Sequence, residues 1–169
     1  RSLMLNKKIL NLLNKIKNKK VSALMSQMIF KEKKTKYAKQ SWLPHQDNSY
    51  PKNKNGHYIT INIFMNKSTK KNGTLYILNK SHKYGIFKYG RKISYREKDL
   101  RPGNIVLTNK FKKTDLNFNK GDMLILHGNL IHGSHPNNSN YSRPLYSISY
   151  MVKGEKFISG LNAQRKELN

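Results

Sequence analysis

The chain has 169 residues, which suits one domain built around a single hydrophobic core. It contains no cysteine, and this excludes disulfide bonds, thiolate metal sites and a cysteine nucleophile, so any metal must bind through nitrogen and oxygen atoms. The formal charge of +26 suits a polyanionic partner such as nucleic acid, but lysines scattered among asparagines, with few arginines, favour a bias of composition instead.

The chain opens at Arg1 with a predicted amphipathic helix. Leucine and isoleucine recur at helical spacing between lysines and asparagines from about residue 2 to residue 18, so we assign residues 1–20 to this element. We expect the helix to pack on the outside of a sheet, although a basic amphipathic helix also suits a membrane surface. No segment reaches the roughly 20 apolar residues of a membrane span. We therefore expect a cytoplasmic protein and, since the chain does not start with methionine, one that lacks an N-terminal portion.

Strand patterns fill most of the remaining chain. The stretch SALMSQMIF predicts a strand that leads into the exposed, charged run KEKKTKYAK. From His57 to Phe64, side chains alternate with period two, as in a partly buried strand. Four later runs, separated by turn sequences such as Asn72-Gly73 and Pro102-Gly103, are also strand-like: NGTLYIL, GNIVLTN, GDMLILHG and RPLYSISYMV. The pattern predicts a mainly β fold of one domain, residues 1–169, with an antiparallel sandwich or jelly-roll core over residues 40–153 and the helix outside.

Candidate metal ligands lie in two segments. In QSWLPHQDNSY, His45 and Asp47 are two residues apart, so on extended backbone both side chains point to one face. An H-x-D pair is by itself a weak motif. The segment GDMLILHGNLIHGSHP adds His127, His132 and His135 at the end of a predicted strand. Two histidines and one carboxylate on a β scaffold are typical of the facial triad that binds non-haem iron.

Several motifs in this order resemble the phytanoyl-CoA dioxygenase (PhyH) family: HQD, NGTLYILNKSHKYG, GDMLILHGNLIHGS and a following Arg-Pro, over roughly residues 20 to 153. The resemblance implies a double-stranded β-helix, a cupin-like jelly roll, that uses Fe(II) and 2-oxoglutarate. It implies that His45, Asp47 and His132 bind the iron and that Arg143, eleven residues after His132, binds the C5 carboxylate of 2-oxoglutarate. Lys31 and Ser134 are the further residues that it places beside the cosubstrate.

The implied reaction is hydroxylation of a small molecule with dioxygen, releasing succinate and CO2. Asp47 favours this outcome, because related halogenases replace the carboxylate by a small residue. Asn138 stands where repair dioxygenases of nucleic acids carry a nearer arginine, which makes a nucleic-acid substrate an unfavoured interpretation. The strongly basic composition mildly favours an anionic substrate, and loops near residues 48–56 and 84–103 are expected to set specificity.

Alternatives stay open at this point. His127 could replace His132 as a ligand, but a separation of five residues would place the two on opposite faces of a regular strand. Lys31 could be an ordinary surface charge, and Trp42 either core or pocket lining. His57, His82 and His135 fit structural roles. Other function classes are a basic β-sandwich that binds polyanions with a vestigial metal site, and a cupin-like metalloprotein that does not use 2-oxoglutarate; Arg143 argues against the latter.

Overall fold

The computed structural model describes residues 2–35, 41–87, 110–156 and 166–168. Within these ranges the chain forms one α-helix, seven strands and two short 3-10 helices. The elements are α1 (Lys7–Lys17), β1 (Val21–Lys31), the 3-10 helix Asp47–Ser49, β2 (Tyr58–Phe64), β3 (Leu75–Leu78), the 3-10 helix Ser81–Tyr84, β4 (Lys113–Asp115), β5 (Met123–His127), β6 (His132–Ser134) and β7 (Arg143–Val152).

The strands form two antiparallel sheets. The larger sheet has four strands in the order β1-β7-β2-β5, and the smaller has three in the order β4-β3-β6. An apolar cluster lies between the sheets and contains Phe64, Leu75 and Leu145, and the Phe64 and Phe118 rings stack with centroids 3.7 Å apart. The arrangement is the predicted jelly roll.

Helix α1 covers the outer face of the larger sheet. Asn6 begins the helix by accepting hydrogen bonds from the backbone of Lys8 and Ile9, and Asn18 ends it in the left-handed conformation. The helix is therefore shorter than residues 1–20. Leu13 is fully buried against the sheet, and the Tyr150 hydroxyl donates to the Met4 carbonyl in the turn before the helix. The predicted position of the helix is thus correct.

Strand β2 shows how this cover shapes the interior. Its sequence alternates, yet both of its faces are buried, because α1 covers one and the smaller sheet covers the other. Ile59 and Ile61 enter the core under the helix, whereas Thr60 and Asn62 face the space between the sheets. A β-bulge at Ala23/Met25 brings the cavity-facing side chains of β1 into register with those of β7. The larger sheet therefore separates an apolar outer layer from a partly polar inner space.

The observed strands depart from the predicted ones at β4, at Lys31 and at β6, which was not predicted as a strand of its own. Strand β4 was not predicted, because three residues at a sheet edge carry no periodic signal. The run GNIVLTN and the Pro102-Gly103 turn lie outside the described residues. Lys31, which opens the charged run after β1, is buried and belongs to the strand. Among the described helices, none is both long and apolar enough to cross a membrane.

The packing of α1 is testable with two neighbouring leucines. Leu13 is fully buried and Leu12 is 42% exposed. We expect Leu13→Ala to lower the free energy of unfolding by about 2–5 kcal/mol, because it leaves a cavity in the core. Leu12→Ala, with the same loss of atoms, should change it by less than about 0.5 kcal/mol. Urea denaturation measures both, and equal effects would contradict this packing.

Candidate metal centre

Two histidines meet through their backbones. The His45 amide donates to the His132 carbonyl at 2.9 Å, and the His132 amide donates to the His45 carbonyl at 3.0 Å. This antiparallel bridge attaches the segment before Asp47 to the free side of β6. The imidazole rings lie with centroids 4.4 Å apart as a consequence. Backbone pairing, and not side-chain attraction, places the two rings side by side.

Asp47 completes a cluster of three groups. Gln46 is extended and Asp47 starts the 3-10 helix, so the carboxylate points to the same side as the His45 ring. Asp47 Oδ1 lies 3.5 Å from His45 Nε2 and 3.6 Å from His132 Nε2. One donor atom from each residue lies within 4.8 Å of the other two, the spacing of a group that could hold a metal ion. The structure thus brings together the three predicted ligands.

Neighbouring groups fix the orientation of each donor atom. The Nδ1 atoms of His45 and His132 lie 2.7 and 3.0 Å from the Leu43 and Leu130 carbonyl oxygens, to which each ring donates its N–H. Each Nε2 atom therefore keeps a lone pair that can bind a metal. The Thr60 hydroxyl donates to Asp47 Oδ2 at 2.5 Å, which leaves Oδ1 facing the histidines.

The protonation states of Asp47 and His132 also suit metal binding. Burial opposes the charge of Asp47, but the His132 and His45 rings and the Thr60 hydroxyl outweigh it and hold the pKa of this carboxyl well below its usual range. Burial lowers the pKa of His132 below its ordinary value, and the attraction of Asp47 only partly offsets this. An ionised carboxylate and a neutral imidazole are the forms that bind a divalent metal.

The Gln46 side chain anchors the segment that carries His45 and Asp47. This side chain is fully buried. The amide nitrogen donates to the Gly85 and Asn129 carbonyls at 2.8 and 2.6 Å, and the amide oxygen accepts from the Phe87 backbone at 2.8 Å. One side chain thus ties the H-x-D segment to two other loops.

Arg143 lies at the start of β7 in a buried position. It is 1% exposed and lines the cavity that also contains the three clustered residues. Its Nε and Nη1 atoms have no hydrogen-bond partner among the described residues, and burial lowers its pKa to about 10. A buried guanidinium with unpaired donors is costly unless an anion meets it. Arg143 therefore suits a carboxylate ligand.

Lys31 is paired in register with Arg143 and is 2% exposed, so its interpretation as a surface charge was wrong. Its ammonium group donates to the His135 carbonyl, and its stem crosses Gly73, where an added Cβ would lie 2.7 Å from Lys31 Cδ. Burial, and then repulsion by Arg143, lower its pKa to about 7. Lys31 is not among the described residues that line the cavity, so its predicted contact with a cosubstrate stays a prediction.

The cavity of about 250 Å³ lies between the two sheets. Ser134 and Trp42 line it, and the Trp42 amide donates to the Ser134 hydroxyl oxygen at 3.2 Å. Gly133, between His132 and Ser134, has no room for a side chain, because a Cβ would lie 2.4 Å from the Tyr76 hydroxyl and 2.7 Å from the Trp42 carbonyl. Pocket lining, one of the two roles considered for Trp42, is what the structure shows.

The other histidines lie outside the cluster. His127 contacts the His82 ring, with centroids 5.3 Å apart, while His57 pairs with Glu155 and His135 with Asp115. We expected His127 and His132 to lie on opposite faces of one strand. They do not share a strand, because β5 ends at His127 and His132 begins β6 in the other sheet. His127 is kept out of the cluster for a different reason, namely that the two histidines belong to different sheets.

Several of the cavity-lining residues that the sequence did not single out are polar members of the strand alternation. The alternation in YITINIF and RPLYSISYMV places them on one face of each strand but does not tell whether that face is buried: Thr60, Asn62, Ser147 and Ser149, joined by Gln27 on β1.

Comparison with known proteins gives a consistent result. Residues 2–145 match the model of the phytanoyl-CoA dioxygenase (PhyH) family. No curated protein matches the chain by sequence. Similar solved structures include the epimerase SnoN in complex with Fe3+, alpha-ketoglutarate and nogalamycin RO (TM-score 0.74, 17% identity, 94% of this chain and 60% of that one). Others are the non-heme monooxygenase ThoJ in its apo form (0.73, 16%, 95% and 57%) and the alpha-ketoglutarate-dependent carbocyclase SnoK from nogalamycin biosynthesis (0.68, 18%, 95% and 61%).

Because all three identities are below 20%, these structural likenesses concern the fold alone, and they support the jelly roll. The chain spans about three fifths of the length of each of these structures.

The role of Gln46 can be tested by Gln46→Leu. The change leaves two carbonyls and one amide without their partner, so we expect a loss of about 3 kcal/mol in the free energy of unfolding. We also expect a 10- to 100-fold loss of Fe(II) or Zn(II) affinity, a rough figure for groups that orient metal ligands. Isothermal titration measures the affinity. Leu13→Ala is the control, because it destabilises the far side of the sheet and should keep the metal affinity.

The lowered pKa of buried Lys31 should make the stability of the protein depend on pH. Its pKa is about 7 in the folded chain and near 10.5 when unfolded, so between these values the unfolded chain binds the additional proton. Stability should therefore rise with pH from about 7 towards 10 and lose this contribution as the pH falls to 7. In Lys31→Met the rise should be smaller by about 2 kcal/mol between pH 7 and 9, as measured by urea denaturation. The exposed Lys33→Met serves as the control, and an equal change in both variants would refute the assignment.

Proposed function

The chain belongs to the phytanoyl-CoA dioxygenase (PhyH) family, and from this premise we propose that it is an Fe(II)- and 2-oxoglutarate-dependent dioxygenase that hydroxylates a small molecule. The observation that carries the proposal is the meeting of two features in one cavity. His45, Asp47 and His132 form a three-ligand cluster, and the buried guanidinium of Arg143 has unpaired donors. A metal cluster alone would suit many metalloproteins, and a buried arginine alone would suit many anion-binding proteins. Together they match what such an enzyme requires, namely a metal site and a partner for the distal carboxylate of 2-oxoglutarate.

The ligand set fits ferrous iron. Two imidazoles and one carboxylate supply three donors of nitrogen and oxygen type, and the remaining coordination positions stay open for other ligands. His45 and His132 would bind through Nε2, and Asp47 through Oδ1, the atoms that their neighbours leave free. When bound, iron and 2-oxoglutarate supply the oxidising power for dioxygen chemistry, and the protein supplies position and environment.

Arg143 would bind the distal carboxylate of 2-oxoglutarate. Its planar guanidinium can donate two parallel hydrogen bonds to a carboxylate, a geometry that an ammonium group cannot offer. Ile29, Leu75 and Leu145 also line the cavity and provide apolar contact for the methylenes of the cosubstrate. The Ser134 hydroxyl, whose oxygen accepts from Trp42, keeps its hydrogen to donate to the same ligand.

In the overall reaction, substrate C–H, dioxygen and 2-oxoglutarate give substrate C–OH, succinate and CO2. The proteins SnoN, SnoK and ThoJ are described as an epimerase, a carbocyclase and a monooxygenase, so one fold serves several outcomes. We favour hydroxylation for this chain because Asp47 retains the third protein ligand, so the site matches that of a hydroxylase and not that of a halogenase.

The first experiment is an anaerobic titration of the Fe(II)-loaded protein with 2-oxoglutarate. We expect the weak visible charge-transfer band of the iron chelate in the wild type. Arg143→Ala should weaken 2-oxoglutarate binding by about 10- to 100-fold, because one charge-assisted interaction is lost. His132→Ala should abolish the band, and His57→Ala should keep it, since His57 lies outside the cluster.

A folded, iron-loaded wild type without the band would overturn the proposal. The rival assignment, a basic module for polyanions, would then gain support if salt-sensitive binding to nucleic acid proved indifferent to His132→Ala.

A further inference from the structure

The chain between the 3-10 helix Asp47–Ser49 and strand β2 follows the metal-binding segment directly. We call residues 50–57 the cavity loop, because its first residue, Tyr50, lines the cavity. These eight residues are all described, and they contain no helix or strand. The position of the cavity loop therefore depends on the hydrogen bonds of its side chains and turns.

Asn48 joins the cavity loop to the residue next to Asp47. Its side chain is fully buried. The carboxamide pairs with the backbone of Asn53 in both directions, since Nδ2 donates to the Asn53 carbonyl at 2.8 Å and Oδ1 accepts from the Asn53 amide at 2.9 Å. Nδ2 also donates to Asn129 Oδ1 at 2.7 Å. Both polar atoms of this side chain are thus engaged, and most of its contacts are with the cavity loop.

Asn53 extends the contact to the far end of β7. It is 2% exposed, its Nδ2 donates to Glu155 Oε2 at 2.9 Å, and its Oδ1 accepts from the His57 amide at 2.9 Å. Strands β2 and β7 are antiparallel neighbours, with Tyr58 paired to Met151, so the end of β7 lies beside the end of the cavity loop. Glu155 can therefore contact Asn53 although 102 positions separate them in the sequence.

Glu155 accepts hydrogen bonds from three side chains of the cavity loop. Besides Asn53, Asn55 Nδ2 donates to Oε2 at 3.0 Å and His57 Nδ1 donates to Oε1 at 2.7 Å. The hydrogen bond from Asn53, followed by those from His57 and Asn55, lowers the pKa of Glu155 below its ordinary value, against the effect of burial. An ionised carboxylate only accepts hydrogen bonds, so it suits three donors. A neutral amide in its place would turn a donor towards donors.

The metal-binding segment is thus anchored on both sides of Asp47. Gln46 ties it to the loops that contain Gly85 and Asn129. On the other side, the path from Glu155 through Asn53 to Asn48 consists of hydrogen bonds no longer than 2.9 Å. Buried amide networks of this kind, when every member is paired, make the local structure rigid.

We propose that Glu155 is a positioning residue for the metal centre. Through Asn53 and Asn48 it fixes the backbone that carries Asp47, and it holds Tyr50 in the wall of the cavity. Glu155 is not among the described residues that line the cavity, so it acts only through this path. The inference rests on the proposed function, because that function assigns Asp47 to the metal.

The test compares Glu155→Gln with Glu167→Gln in the full chain. Glu167 is the matched control, because it also accepts two hydrogen bonds near the end of β7, from the Gly154 amide at 2.8 Å and the Ser22 hydroxyl at 3.0 Å, and these partners lie outside the cavity loop. Competition with a chromophoric chelator measures the Co(II) affinity, and visible absorption of bound Co(II) reports the geometry of its ligands. We expect Glu155→Gln to weaken Co(II) binding about tenfold and to shift the spectrum. Glu167→Gln should keep both, whatever its effect on thermal stability.

Asn53→Ala interrupts the same path at a second point. It removes the side chain that meets Glu155 and keeps the backbone groups that pair with Asn48. We expect the same loss of Co(II) affinity, about tenfold. The double variant with Glu155→Gln should lose no more than either single variant, because both changes break one path. Asn53→Ala also decides the question by itself if Glu155→Gln does not fold.

Three results would overturn the inference. One is an unchanged Co(II) affinity and spectrum in a folded variant of the path with only a lower melting temperature, which would give Glu155 a purely structural role. The others are an equal loss of affinity in Glu167→Gln and losses that add in the double variant. Failure of the proposed function is distinguishable. A wild type that binds Co(II), but shows no charge-transfer band with Fe(II) and 2-oxoglutarate, would overturn that function and leave the role of Glu155 intact, whereas a wild type that binds no metal would overturn both.

Discussion

The reciprocal backbone hydrogen bonds between His45 and His132 are the constraint on which the site depends. They join the loop that carries Asp47 to the edge of the smaller sheet, and they do so with groups that are present whatever the side chains are. Once this bridge forms, both imidazoles must face the same space. The carbonyls of Leu43 and Leu130 then set the tautomers, and Thr60 reaches across from the larger sheet to hold the carboxylate. The cluster is thus assembled from both sheets.

The larger sheet has a second role, which is to separate two environments. Its outer face packs against α1 through isoleucine, valine and Tyr150 and supplies the stability of the core. Its inner face buries less apolar surface, because hydroxyl and amide groups line the cavity there. Strands β2 and β7 carry both faces in one alternating sequence. The apolar core and the cavity therefore lie on opposite sides of the same strands, and a substitution on one side need not disturb the other.

The choice of His132 as the third ligand came from the resemblance to the PhyH family. Sequence patterns predicted the fold class, the position of α1, most strands of the described ranges and the pairing of His45 with Asp47. These features have local signals, such as period-two alternation, turn residues and H-x-D spacing. Burial of Lys31 could not be predicted, because a run of lysines hides which one is inside. The polar cavity lining on β2 and β7 was also missed. The polar half of an alternating strand reads as solvent-exposed until the packing of α1 on the opposite face is known, and that packing is a property of the tertiary structure.

The contrast between a cationic exterior and a largely uncharged cavity bears on the kinetics of ligand exchange. With a net charge of +26, the protein generates a positive potential that reaches about 8–10 Å into physiological buffer. A dianion such as 2-oxoglutarate is drawn towards the protein by this potential, which accelerates encounter and makes the association rate fall as salt is added. A neutral molecule feels no such force. The same surface would therefore speed the arrival of 2-oxoglutarate compared with any neutral ligand, and added salt would reduce this difference.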